Sequence, residues 1–135
     1  MRRLILAMSL ALAAGGAQAR PAACPADLKS QMTAELFFGA DIPGGGGEVS
    51  EADWTAFLNR EVSPRFPDGL TTWDADGRWL APGGVQTHEK SRVLWLILSG
   101  KPGERARLQA VRAAYKAQFK QMSVLLVEHR ECVGF

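Results

Sequence analysis

The stretch SRVLWLILSG, Ser91 to Gly100, holds six consecutive apolar residues, Val93 to Leu98, between polar and glycine boundaries. A run this short, rich in branched and aromatic side chains, predicts a β-strand apolar on both faces, and hence a central one. Working outward, GERARLQAVRAAYKAQFKQM predicts a helix with Leu108, Val111, Tyr115, Phe119 and Met122 on one side, and SVLLVEHRECVGF predicts a closing strand. Upstream, MTAELFFG (Met32 to Gly39) predicts the first strand. After it, Ser50 caps a helix that buries Trp54, Phe57, Leu58 and Val62 and ends at Ser63-Pro64. With the extended segment Leu70 to Leu80, the order is β-α-β-β-α-β. It predicts an α+β ferredoxin-like sandwich, an antiparallel sheet with two helices on one face.

The chain opens with MRRLILAMSLALAAGGAQA: two arginines, an apolar run from Leu4 to Ala14, and the small-x-small signal Ala17-Gln18-Ala19. This predicts a secretory signal peptide over residues 1–19. The run is too short for a transmembrane anchor, and Arg20 and Pro21 disfavour lipidation at Cys24. Cleavage of 19 of the 135 residues leaves 116 (residues 20–135), enough for one domain. It also removes Arg2 and Arg3 from the 16 basic residues, leaving 14 against 14 acids. The net charge of +2 and pI near 8.7 therefore owe much to the leader and give no ground for nucleic-acid binding. The expected location is exported, periplasmic or secreted. In that setting the only two cysteines, Cys24 and Cys132, predict a disulfide rather than a metal site. The fold agrees, because its first and last strands are antiparallel neighbours.

GLTTWDADGRWLAPGG, Gly69 to Gly84, raises calcium binding, acid-base chemistry or a turn. With Gly77 at the sixth position of a calcium loop, Thr72 would stand first and Gly83 twelfth, so the bidentate acid is missing. No metal or cofactor is expected. A polar Asp-Ala-Asp-Gly tip stays solvated, which does not split two carboxylate pKa values. A hairpin turn is expected instead. A three-residue loop of Ala75, Asp76 and Gly77 would face Trp73 to Trp79, and a two-residue turn would face Trp73 to Leu80. The four glycines Gly44 to Gly47 form a loop without phosphate-binding spacing.

Several residues are candidates for function. Glu61 falls inside the first helix's apolar arc, either buried or bent out at a frayed end toward Arg65. Glu35 shares a strand face with Thr33 and Phe37. If Met32, Ala34, Leu36 and Phe38 pack under the helices, Glu35 lies on the open face, free to bind a ligand or to pair with Arg92. Because the third strand is apolar on both sides, that face invites a partner, and a homodimer formed sheet to sheet is expected. His88, Glu89, Lys90, Ser91 and Arg92 precede the central strand; His88 is the better general-base candidate and Arg92 a candidate anion clamp. Ser91 lacks a nucleophile elbow. His129 is equally an edge or a functional residue. The stripe Arg105, Arg112, Lys116 and Lys120 is expected to snorkel over the core.

The blocks TAELFFG, SEADWTAFLNREVSPRFPDGLTTWDADGRW, EKSRVLWLI and VRAAYKAQFKQMSVLLVE together resemble an uncharacterised bacterial family of short exported proteins, domain of unknown function 3574. PRFPDGLT and YKAQFKQMSVL are the more specific parts; Met122 departs from the family, where a glutamate is expected. The resemblance implies a signal peptide and one domain, and transfers no catalytic role. Two functions follow from the residues. The first is a module that binds a small molecule or a protein. The second is a small enzyme of the dimeric α/β-barrel type, with a ligand enclosed at the covered sheet face beside Glu35, His88 and Arg92.

Overall fold

The computed structural model describes residues 23–80 and 83–135. The proposed signal peptide lies outside them. The elements are β1 (Lys29–Gly39), α1 (Glu51–Phe57) running into a π-helical turn (Leu58–Val62), β2 (Thr71–Leu80), β3 (Gln86–Leu98), α2 (Glu104–Phe119) and β4 (Leu125–Val133). The four strands form one antiparallel sheet in the order β2-β3-β1-β4, with both helices against one face. This is the ferredoxin-like α+β arrangement. The apolar run of β3 is central because β1 and β2 pair with its two edges. Among the described residues, no helix is long and apolar enough to cross a membrane.

Strand parity sorts the side chains. Ala34, Leu36 and Phe38 of β1 and Leu94, Leu96 and Leu98 of β3 point under the helices and are buried with Trp54, Phe57, Leu108, Val111, Tyr115 and Phe119. Ser50 caps α1 by accepting from the Asp53 amide at 3.1 Å. Glu104 holds the start of α2 by accepting from the Ser99 and Gly100 amides at 2.8 and 3.0 Å. The basic stripe of α2 is partly structural: Arg112 donates to the Val124 carbonyl and Arg105 pairs with Glu128. Ser30 and Cys132 are register partners, and the Cys24–Cys132 disulfide forms there with its Cα atoms 5.5 Å apart.

The hairpin expectation within Leu70–Leu80 is overturned. Thr71 to Leu80 run straight through Asp74-Ala75-Asp76-Gly77 as one ten-residue strand. Trp73 faces Val93 and Trp79 faces Thr87, so the tryptophans never meet across a turn. The chain reverses between Leu80 and Gln86, where Gly83 and Gly84 carry positive φ. Asp74 has its own role on the strand, facing Arg92 and pairing with it at 3.3 Å. Beyond Ser91, β2 and β3 continue as a two-stranded ribbon past the end of β1. The four glycines make the tip of a small excursion closed by an Asp41–Glu48 bridge.

Candidate functional site

The face of the sheet away from the helices carries the odd-numbered residues of β1, β3 and β4. Phe37, Val93, Trp95, Ile97, Leu125 and Val127 surround Glu35, whose register partners are Trp95 and Val127. Trp73 and Trp79 extend the surface onto β2. Leu125 is 57% exposed and Trp73 45%, while Phe37, Trp95, Ile97 and Val127 are half-buried. Among the described residues, no helix covers this side. Glu35 is one-quarter exposed, and its neighbour is His129, at 3.9 Å. Nearby, Thr33 Oγ1 and Gln31 Oε1 are buried without a hydrogen-bond partner among the described residues.

The three candidate ligand-binding residues do not converge within one chain. Arg92 has the opposite parity to Glu35 and lies on the helix side, facing Phe38 across the sheet. Its Nη1 is held by Glu51 at 2.5 Å and Asp74 at 3.3 Å, and its guanidinium sits 5.8 Å from the centre of the Trp54 ring. It is a structural cation tying β3 to α1 and β2, so the expected Glu35–Arg92 ion pair does not form. His88 is exposed on the ribbon opposite Arg78, away from both. Glu61 turns out of the core at the π-helical turn, where the Ser63 amide reaches back five residues to the Leu58 carbonyl at 2.8 Å. It is one-fifth exposed and paired with Arg65 at 3.0 Å and Arg60 at 3.2 Å.

Residue type favours His88 and Arg92 over their neighbour Glu89, yet the odd parity of Glu89 puts it on the open face. Its cross-strand partner is Gly77, and its carboxylate lies over Gly39, where any Cβ would overlap it. The Trp79 indole donates to Glu89 Oε2 at 3.1 Å. A groove of about 520 Å³ opens here, bordered by Phe37, Trp79, Glu89, Gln121, Met122 and Leu125. Burial raises the pKa of Glu89 above the ordinary carboxylate range; the Trp79 hydrogen bond opposes this and the charge of Asp41 adds to it. Such a group holds its proton more tightly folded than unfolded. Stability is therefore expected to fall as pH rises from the unfolded pKa through the folded one. Glu89→Gln keeps an acceptor for Trp79, so it should raise the melting temperature at pH 7 and flatten the melting curve's pH dependence above pH 4.5. A lower melting temperature at pH 7 would contradict the burial argument.

A family model matches residues 33–135. The chain belongs to the family described as protein of unknown function (DUF3574). No curated protein matches it. Solved structures share its fold, among them two of a phage SAM lyase. A phage SAM lyase in complex with S-methyl-5'-thioadenosine aligns with a TM-score of 0.59 and 15% identity, over 87% of this chain and 97% of the lyase. A phage SAM lyase in the apo state aligns at 0.58 and 18% identity, over 78% and 90%. At these identities the DUF3574 chain shares the architecture, and the likeness carries no residue role.

Proposed function

We propose that the chain is exported after cleavage behind Ala19, as a single domain of residues 20–135, and works as a binding module through the open face of its sheet, which a second copy covers. The carrying observation is the apolar surface of Phe37, Trp73, Trp95, Ile97, Leu125 and Val127, with the Glu35–His129 pair at its centre. An exposed apolar face of this kind is characteristic of interaction surfaces. The oxygens of Thr33 and Gln31 on the same face, unpartnered among the described residues, support the reading, since buried polar atoms normally find partners. A disulfide joining both ends of the domain suits an oxidising compartment.

Sedimentation of the oxidised protein at high micromolar concentration should give a dimer. Trp95→Glu places an unpaired charge in the interface and should weaken the dimer on the order of 100-fold or more. Trp73→Glu, on a more exposed strand, should act in the same direction with less effect on folding. A monomer at high micromolar concentration would remove self-association from the proposal.

The second reading is an enzyme of the dimeric α/β-barrel type that encloses a small molecule between two such faces. The observation favouring it is the fold shared with a phage SAM lyase solved with S-methyl-5'-thioadenosine. In this reading Glu35 and His129, rather than His88 and Arg92, act on the ligand there. A saturable rise in melting temperature with S-methyl-5'-thioadenosine, lost in Glu35→Gln, would support it. No rise, or one that survives the substitution, would count against it.

A further inference from the structure

The groove beside Glu89 lies within one chain, at the end of the open face where β4 begins, and needs no second copy to form. Its walls are apolar: Phe37 from β1, Leu125 from β4, Met122 from the turn before β4, and the indole of Trp79 from the ribbon. Glu89 and Asp41 border it, and among the described residues neither is in an ion pair. Arg78 also borders it, but strand parity turns its side chain to the face opposite that of Trp79.

The position of Glu89 is built rather than incidental. Both strands flanking it offer glycine, Gly77 directly opposite and Gly39 beneath the carboxylate, so the side chain can lie flat along the sheet. The Trp79 indole fixes one oxygen at 3.1 Å. The result is a single oriented carboxylate at the base of an aromatic groove. Aromatic faces and a partly desolvated carboxylate both favour a positive charge, and apolar walls favour a flat hydrocarbon body.

We propose that this groove binds an organic cation, a protonated amine carried on a flat apolar ring system, with Glu89 as its counter-ion and Trp79 and Phe37 as its aromatic walls. Neutral molecules of the same shape fit the walls but leave the carboxylate unpaired. The proposal goes beyond the self-association described above and does not depend on it.

The test uses tryptamine and its neutral counterpart tryptophol as probes, titrated into the oxidised protein while the indole N–H resonance of Trp79 is followed by NMR. Tryptamine is expected to shift that resonance saturably and to bind about tenfold or more tightly than tryptophol. Glu89→Gln should weaken tryptamine by about the same factor and leave tryptophol unchanged, with the melting curve confirming that the variant is folded. The same titration on Trp95→Glu separates the two readings: tryptamine binding that persists in a monomer belongs to the groove alone. Equal affinity for the two probes, an unchanged tryptamine affinity in Glu89→Gln, or no shift of the Trp79 resonance up to about 10 mM would overturn the proposal.

Discussion

Replacing both cysteines, Cys24→Ser with Cys132→Ser, is expected to lower stability by about 4–5 kcal/mol, the largest effect of any surface change in the molecule. The bond joins residues 108 apart in sequence, so it removes loop-closure freedom from almost the whole unfolded domain. The folded state loses little else, since Cys132 sits on β4 already paired with Ser30 of β1. The cost therefore falls on the unfolded side. Urea unfolding should show a lower midpoint together with a larger denaturant slope, because the uncrosslinked chain expands further. A domain of this size should lose on the order of 15–30 °C in melting temperature. A loss below about 1 kcal/mol would mean that the unfolded ends already stay together without the bond.

Phe38→Ala is expected to cost about 3–5 kcal/mol. Phe38 is fully buried at the middle of the aromatic cluster, with ring centres 4.7 Å from Tyr115, 5.2 Å from Trp54 and 6.0 Å from Phe57. Truncation leaves a cavity where β1, α1 and α2 meet, and those three elements are held apart by their own backbones, so the space cannot close easily. The neighbouring Tyr115 hydroxyl donates to the Gly39 carbonyl at 2.8 Å and fixes the ring against collapse. Phe38→Leu should recover more than half of the loss by refilling most of the volume. Equal costs for the two substitutions would show that ring geometry, not volume, sets the stability of the cluster.

The fold is legible in the sequence because its largest signals agree. The alternation of Ala34, Leu36 and Phe38, the apolar faces of the two helices and the positions of Cys24 and Cys132 all require the same order of elements. The hairpin expected at Asp74-Ala75-Asp76-Gly77 rests on local turn chemistry, which an edge strand tolerates. There Asp74 gains Arg92, and Gly77 leaves room for the Ser91 hydroxyl, which would lie 2.9 Å from a Cβ. Pairing of all ten residues of β2 with β3 outweighs the local preference. A fixed helical angle places Glu61 in the apolar arc, and the π-helical turn breaks that angle. The site residues need only parity on β3. Counting in twos from the buried Leu94 puts His88 and Arg92 with the helices and Glu89 with Trp95. That count uses residue order alone, whereas the Trp79–Glu89 contact is invisible to it, because the contact depends on where β2 ends.

The Cys24–Cys132 bond also decides how the molecule answers a pull. Tension applied through the segment before Cys24 and the residues after Cys132 passes through one covalent link, and the chain between these two residues, 108 apart in sequence, carries none of it. The strands β1 and β4 would otherwise be unzipped from the end where Lys29 faces Val133, one register pair after another. An oxidised domain is thus a short inextensible clasp, and a reduced one a spring that can unreel to its full contour length.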